Sequence, residues 1–328
     1  MVVIKTIDDA KIWDRLVREH GGHPLQLWSW GELKTAHGAW TATRLAIYDG
    51  TRLLGGAQVL TRRLPWPFCR ILYVPRGPFG EENNREKVLR ELGAWAKQQG
   101  AVELKIEPDW TNESAPLHVK SWHMSRGRIL MPRTVRLDLA LTEENLLDQM
   151  SKKTRQYIRK SEHDGVKVRR ITVEKDVKTA LKIYRDTAAR DHFPLHDDTY
   201  YLDLARLGGE HNQIWLAEKD GQPLAFLWNL ATEAVCFELY GGVNGEGQRL
   251  RANFALKWQA IKFACENGAK VYDLNGLLND GVSGFKLGFG APSELIGTYD
   301  LPLSQLYSIY ENLLPLGKKI VKKFVRPK

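Results

Sequence analysis

Several signals that would identify the chemistry of a 328-residue chain are missing from this sequence. Its three cysteines, Cys69, Cys236 and Cys265, are far apart and have no metal-ligand spacing, which predicts a reducing compartment. The nine histidines form no H-E-x-x-H pair. The sequence contains no run of about 18 apolar residues, which would predict a membrane span. Its N-terminus also lacks the apolar core of a signal peptide. We therefore expect a cytoplasmic protein without a metal site.

Nucleophile and phosphate motifs are missing as well. There is no G-x-S-x-G elbow of a serine hydrolase and no Walker loop, and no G-x-G-x-x-G follows a strand. None of the cysteines lies in a motif that would activate a thiol. The formal net charge is +9, which favours an anionic partner such as nucleic acid, phosphates or a membrane face, although on a large surface it is equally explained by solubility.

What the sequence does contain is one unit used twice. The stretches "YDGTRLLGGAQVL" (48–60) and "KDGQPLAFLWNLA" (219–231) each place Asp-Gly between apolar runs, which predicts a β-hairpin. Downstream, residues 88–108 and 254–276 each predict a helix that ends at a glycine and is followed by a strand. Asp49 precedes Gly100 by 51 residues, and Asp220 precedes Gly268 by 48. The repeat predicts an α/β fold of two domains with mixed sheets, 1–145 and 146–311, and a C-terminal helix over 312–328 that packs on the first domain.

The segment between the two copies, residues 142–165, has acidic residues in its first turn and ends at Gly165. Both features suit a single helix. Its basic residues Arg155, Arg159 and Lys160 lie close together, and either a phosphate-binding surface or a solvated helix face explains them.

This duplicated hairpin–helix–strand unit resembles the GNAT acyltransferase fold. In that fold the donor's pyrophosphate sits on a loop patterned Q/R-x-x-G-x-G/A at a helix start. The corresponding segment here, "GEGQRLRANFALKW", has Arg251 or Ala252 and Asn253 or Phe254 where the small residues are expected. Bulky side chains there keep phosphate oxygens from the backbone amides, so we expect a donor other than coenzyme A.

A closer resemblance covers nearly the whole chain. The segments that carry it are, in order, "LQLWSWGELK", "LYVPRGPF", "LKIEPDW", "KKTRQYIRK", "NFALKWQAIKFACENGAKVYDLNG" and "GFKLGFG". On these segments the chain resembles the Fem (FemABX) family of aminoacyltransferases, and we expect the short form without a coiled-coil arm. The resemblance implies transfer of an amino acid from aminoacyl-tRNA to the stem-peptide amine of a peptidoglycan precursor, either lipid II or UDP-MurNAc-pentapeptide. Aminoacyl-tRNA would be the co-substrate, and no cofactor is expected.

The resemblance also implies roles for individual residues. Lys286, the single charge in "GVSGFKLGFGAP", is the candidate that stabilises the oxyanion, and Phe285 beside it would exclude water. We interpret this glycine-rich segment as a tight turn. A surface lysine on a turn is the alternative.

Other positions are implied to bind substrate. Glu107 replaces the family's usual Asp, so a general base or a strand-end salt bridge fits it equally well. Lys34 and His196, the latter where the family often has Arg, would contact the precursor's phosphates. Tyr200 and Tyr240 would line its pocket, with a core position as the alternative for Tyr200.

Partners follow from the same resemblance. Arg155, Arg159 and Lys160 would contact the tRNA or the lipid pyrophosphate. The basic C-terminus, "GKKIVKKFVRPK", would contact the inner face of the membrane peripherally. We expect a monomer. An acyl-CoA N-acyltransferase and a non-catalytic RNA-binding protein are the competing interpretations.

Overall fold

The computed structural model describes residues 1–111, 120–277 and 281–313. The chain forms two compact units that do not coincide with its halves. The first unit contains Met1–His20, Lys34–Pro132 and the described part of Leu295–Lys328, and the second contains Gly21–Leu33 and Arg133–Glu294. No helix among the described residues is long and apolar enough to cross a bilayer.

The first unit is a mixed sheet covered by helices. Its strands run in the order β1-β2-β3-β4-β6-β15-β7, and β5 pairs with β3. The strands are β1 Val2–Thr6, β2 Trp40–Asp49, β3 Arg52–Arg63, β4 Arg70–Pro75, β5 Phe79–Gly80, β6 Glu103–Glu107, β7 His123–Met124 and β15 Tyr299–Pro302; the helices are α1 Ala10–Glu19, α2 Trp28–His37, which begins in the second unit, and α3 Arg85–Lys97. One apolar cluster, including Leu45, Val59 and Leu104, lies between the sheet and α3.

The second unit repeats this plan. Its sheet order is β14-β8-β13-β12-β11-β10-β9. The strands are β8 Arg133–Asp138, β9 Lys167–Ile171, β10 Asn212–Lys219, β11 Gln222–Ala231, β12 Val235–Val243, β13 Val271–Asp273 and β14 Pro292–Glu294; the helices are α4 Glu143–Gln149, α5 Lys152–His163, α6 Glu174–Asp191, α7 Asp198–Gly208, α8 Gly245–Arg249, α9 Ala252–Glu266 and α10 Gly281–Leu287. Its core packs α9 and α5 on the sheet.

The predicted repeat is present in both units. Each Asp-Gly closes an antiparallel hairpin, β2–β3 or β10–β11. Gly50 and Gly221 have positive φ, 61° and 74°, the conformation that glycine adopts without steric cost. After a third antiparallel strand comes a helix, α3 or α9, and then a parallel strand, β6 beside β4 or β13 beside β12.

The boundary between the units differs from the predicted one at residue 145. β8 precedes residue 145 but pairs with β13 and β14 of the second sheet. β15 follows the second copy but pairs with β6 and β7 of the first sheet. Each sheet thus takes one interior strand from beyond the expected boundary, because backbone pairing and not chain order decides which unit a strand stabilises. The predicted helix over 312–328 lies outside the described residues from 314 onward.

Two local predictions are corrected by the structure. The single helix over 142–165 is two helices, since Ser151 caps α5 through its Oγ, which accepts from the backbone N–H of Thr154 at 3.1 Å. The segment "GVSGFKLGFGAP" is not a tight turn: Gly281–Leu287 form α10. Its glycines lower helix propensity without forbidding a helix, and a turn closes only at Gly288 and Phe289.

Candidate functional site

A cavity of about 750 Å³ opens in the second unit where two parallel strands separate. β12 and β13 pair from Val235↔Val271 to Phe237↔Asp273, and β12 then continues to Val243 along β11 alone. The gap is lined by Glu238 and Tyr240 of β12 on one side and by Asn275 and the residues beside it on the other. Strand divergence therefore creates a concave site whose walls carry backbone polar groups.

Lys286 is fixed at one wall of this cavity. It lies in the last turn of α10, and its Nζ donates to the carbonyl oxygens of Asn275 at 3.3 Å and Gly276 at 3.0 Å. Both carbonyls belong to the segment that follows β13. A lysine held in this way presents a positive charge at a defined point in the cavity instead of moving in solvent, as stabilisation of a developing oxyanion requires.

Phe285 belongs to an aromatic cluster beside Lys286. Its ring lies 4.8 Å from that of Phe254 and 5.3 Å from that of Phe289, both edge to face. Phe285 and Lys286 line the same cavity. The cluster makes this wall apolar, so the lysine's field is screened less than it would be in water.

Tyr200, Tyr240 and His196 form a second cluster in this unit. The two phenol oxygens are 3.2 Å apart, and the exposed His196 ring stacks on Tyr200 with centroids 3.9 Å apart. Tyr240 lines the cavity, whereas Tyr200 is buried behind it. Burial raises the pKa of Tyr200 to about 12 and also raises that of Tyr240, so both phenols remain neutral hydrogen-bonding groups at physiological pH.

Sequence reasoning missed a buried ion pair in the cavity wall. The Lys257 Nζ contacts both carboxylate oxygens of Glu238 at 2.5 and 2.6 Å, and Tyr272 donates its hydroxyl to Glu238 at 2.9 Å. The signal was available: Lys257 lies on the same helix stripe as the buried Ala260, Ile261 and Ala264. A lysine on an apolar stripe indicates a buried partner.

Lys34 and Glu107 belong to the first unit. Burial lowers the pKa of Lys34 to about 8, so its charge is lost in a mildly alkaline range. Glu107 is 2% exposed, and its carboxylate accepts from the backbone N–H groups of Ile129 and Leu130 and from the hydroxyls of Tyr73 and Thr298. These donors occupy the carboxylate, which favours a structural role for Glu107 over that of a general base.

The three residues of the predicted basic cluster all lie on α5, but their surroundings differ. Arg155 is half-buried, and its guanidinium donates to the carbonyl oxygens of Leu147 at 3.0 Å and Met150 at 2.8 Å, the end of α4. Arg159 is exposed, and Lys160 is exposed and 3.6 Å from Asp164. Arg155 therefore caps a helix, while Arg159 and Lys160 face solvent.

The segment before α9, where a pyrophosphate-binding loop is expected, forms hydrogen bonds within its own backbone. The backbone N–H groups of Leu250 and Arg251 donate to the carbonyls of Glu246 and Gln248 at 2.9 and 3.2 Å. Arg251 adopts a left-handed conformation, with φ 57°, as the N-cap of α9. Amides that are already bonded within α8 do not offer a phosphate cradle. Within the described residues, no group of His, Cys, Asp or Glu side chains is arranged to hold a metal ion.

Comparisons with known proteins agree with this architecture. A model of the FemAB family matches residues 11–131, and a model of the acetyltransferase (GNAT) domain matches residues 148–287. Proteins called lipid II:glycine glycyltransferase from Staphylococcus epidermidis and Staphylococcus aureus are 23% and 24% identical to this chain, and each alignment covers 92% of this chain and 94% of the relative. These alignments, over 392 and 396 residues, are longer than this chain, so the relatives contain residues without a counterpart here.

Solved structures confirm the predicted fold of two GNAT-like domains. The crystal structure of FemX superposes with a TM-score of 0.84 at 20% identity, covering 94% of this chain and 100% of that one. The C-terminal domain of a putative lysylphosphatidylglycerol synthetase from Agrobacterium fabrum has a TM-score of 0.59 at 11% identity, covering 96% of each chain. At these identities the structures establish the shared fold alone.

Proposed function

Because this chain belongs to the Fem family and is an acyltransferase with a GNAT domain, we propose that it transfers an amino acid from aminoacyl-tRNA to the stem-peptide amine of a peptidoglycan precursor. The relatives that match over most of their length carry the name lipid II:glycine glycyltransferase. The observation that carries the proposal is the position of Lys286, whose ammonium is held by two carbonyls at an apolar wall of the cavity.

The reaction is aminolysis of an ester. The acceptor's amine nitrogen forms a bond to the aminoacyl carbonyl carbon, and the bond from that carbon to the ribose oxygen breaks. The amine loses a proton, and the departing ribose oxygen gains one. Negative charge develops on the carbonyl oxygen in the transition state, where the Lys286 ammonium stabilises it.

Substrate-binding roles are proposed for one residue of the cavity and for four residues outside it. Tyr240, supported by Tyr200, presents a neutral phenol that donates or accepts a hydrogen bond. Lys34 and His196 are assigned to the precursor's phosphates, and Arg159 and Lys160 to the phosphates of tRNA. The assignment of Lys34 rests on the resemblance alone, whereas those of His196, Arg159 and Lys160 rest also on their exposure, since a phosphate contact needs an accessible group.

The donor is the feature that separates this proposal from an acyl-CoA N-acyltransferase. The amides of Leu250 and Arg251 already donate to carbonyls of α8, so these two groups are not available to bind the pyrophosphate of coenzyme A. The apolar wall at Lys286 and Phe285 suits an ester carbonyl that reacts away from water.

The test is incubation of the protein with a mixture of radiolabelled aminoacyl-tRNAs and lipid II, followed by mass analysis of the muropeptide. We expect a mass increase equal to an added amino-acid residue, and its value identifies the donor. A parallel reaction with UDP-MurNAc-pentapeptide distinguishes a lipid-linked from a soluble acceptor. No increase with either acceptor contradicts the proposal. Thermal stabilisation by coenzyme A but not by the precursor would favour the acyl-CoA interpretation.

A further inference from the structure

The hairpin between β3 and β4 projects a tryptophan into solvent. Trp66 is 91% exposed, and it lies between Pro65 and Pro67 at the tip of the loop Leu64–Cys69. The Leu64 N–H donates to the Cys69 carbonyl at 2.8 Å and closes the loop. An indole ring in this position exposes a large apolar surface that folding alone gives no reason to leave in water.

The loop is nevertheless well packed at its base. Leu64 and Phe68 pack against a small cluster that includes Tyr307 and Tyr310, and the Phe68 and Tyr310 rings are 5.4 Å apart. The Phe68 N–H also donates to the Pro65 carbonyl at 3.1 Å. The exposure of Trp66 is therefore a property of an ordered loop, in which the flanking apolar side chains turn inward and this one turns outward.

Basic residues surround the base of the loop without acidic neighbours in the sequence. Arg63 and Arg70 are directly opposite each other at the last paired position of β3 and β4, and Arg62 precedes them. No Asp or Glu occurs from Thr51 to Gly80. Like charges directly opposite in an antiparallel pair are unfavourable, so an anionic partner at this position would relieve a repulsion that the fold retains.

We propose that this hairpin, Arg62–Arg70, is a membrane-docking surface for an anionic phospholipid bilayer. Trp66 enters the interfacial region, where tryptophan is enriched, while Arg62, Arg63 and Arg70 contact the lipid phosphates. Arg63 is three residues from Trp66, and Arg62 and Arg70 are four. At a strand rise of about 3.3 Å per residue the tip therefore extends at most about 10–13 Å beyond the arginines, enough to reach the depth of about 5–10 Å at which interfacial apolar groups are buried.

The arrangement favours a bilayer over RNA. Single-stranded nucleic acid stacks on aromatic rings that have cations beside them to reach the adjacent phosphates. Here prolines flank the indole, and the arginines are set back at the end of the strand pairing. An apolar tip with charges behind it fits the division of a membrane surface into acyl chains and headgroups. The inference deepens the proposed function, because a lipid-linked acceptor lies in such a surface.

The test uses the full chain and sedimentation with vesicles of phosphatidylcholine, with and without phosphatidylglycerol. We expect binding that requires phosphatidylglycerol and weakens with salt. Trp66→Ser should lower the partition constant about tenfold, and Arg63→Ala and Arg70→Ala should each lower it about fivefold. The matched controls are Met124→Ser and Arg15→Ala, which remove an exposed apolar and an exposed basic side chain of the same unit.

The outcomes are distinct from those of the activity assay. Trp66→Ser should leave transfer to UDP-MurNAc-pentapeptide unchanged and slow transfer to lipid II in vesicles. Vesicle binding that is equal in wild type and Trp66→Ser overturns the docking proposal, even where transfer to the soluble acceptor succeeds. Loss of tRNA affinity in Trp66→Ser with vesicle binding intact also overturns it and assigns the loop to RNA. Circular dichroism of each variant checks that the fold is retained.

Discussion

At the scale of single residues, Lys286 is the position on which the proposed chemistry depends. Its ammonium is held by the Asn275 and Gly276 carbonyls, so its charge is preorganised before substrate arrives. We expect Lys286→Met to lower kcat by about 10²–10³-fold, the usual effect of removing an oxyanion donor, while tRNA affinity stays unchanged. Single-turnover transfer from aminoacyl-tRNA measures the first quantity, and filter binding measures the second.

The control for this variant is Lys270→Met, which removes an exposed lysine of the same unit. It should retain full activity. An unchanged kcat in Lys286→Met would contradict the oxyanion role and favour the non-catalytic RNA-binding interpretation. Lys286 and Phe285 were candidates from the sequence because they lie in the segments that carry the family resemblance, and the structure places both at the cavity. Glu238 and Lys257 were not: the apolar stripe of α9 indicates that Lys257 is buried, but which carboxylate it meets depends on tertiary packing that the local sequence does not encode.

At the scale of elements, the junction of α4 and α5 gives different surroundings to two arginines that lie one turn apart on α5. Arg155 donates to carbonyls at the end of α4, whereas Arg159 is exposed. We expect Arg155→Ala to lower the free energy of unfolding by about 1.5–3 kcal/mol, the range for hydrogen bonds to charged groups. Arg159→Ala should leave stability within about 0.5 kcal/mol and weaken tRNA binding with a reduced salt slope.

Urea denaturation and salt-dependent filter binding of the two variants measure these effects. The opposite pattern, with stability lost in Arg159→Ala and tRNA affinity lost in Arg155→Ala, would show that the hydrogen bonds to α4 do not hold in solution. The sequence predicted one helix here because acidic residues and Gly165 mark its ends correctly. The Ser151 cap that divides it was hidden, because serine also occurs inside helices.

The seam between β6 and β15 contains two buried carboxylates that share one lysine. Lys105 contacts Asp300 directly and lies 3.9 Å from Glu103, and the Glu103 Oε1 has no hydrogen-bond partner among the described residues. Burial, opposed by Lys105 and assisted by Asp300, raises the pKa of Glu103 to about 7. Glu103 therefore binds its proton more tightly in the folded than in the unfolded chain, in which a value of 4.5 applies.

The sign of the pH dependence follows from this difference. Between about pH 4.5 and 7 the folded state binds more protons at this site, so the contribution of Glu103 to the free energy of unfolding falls as pH rises. Glu103→Gln, which mimics the protonated form, should match wild type near pH 4 and exceed it by about 3 kcal/mol above pH 7. Urea denaturation of both proteins across this range measures the difference, and a difference independent of pH would contradict the assignment.

At the scale of the whole molecule, the repeat in the sequence predicted the architecture but not its boundary. Asp-Gly turns, helix-ending glycines and apolar strands are local signals, and they identified both hairpin–helix–strand copies. Nothing in the local sequence of β8 or β15 indicates which sheet the strand joins. Their assignment depends on pairing with β13 and β6, which are distant in sequence, so the predicted division at residue 145 separated each of them from its sheet.

This exchange predicts how the chain responds to being cut. A fragment 1–145 lacks β15, which lies between β6 and β7, and a fragment 146–328 lacks β8, which lies between β13 and β14. Each fragment therefore lacks a strand from the interior of its sheet, and backbone hydrogen-bonding groups of the neighbouring strands are left unpaired. We expect neither fragment alone to show a cooperative thermal transition, whereas co-expression of the two, which supplies every strand, should recover a folded complex that purifies with a tag on either fragment. Calorimetry and co-purification measure these outcomes. Cooperative unfolding of both isolated fragments would show that residue 145 is a true domain boundary, and the strand assignment of β8 and β15 would then be wrong.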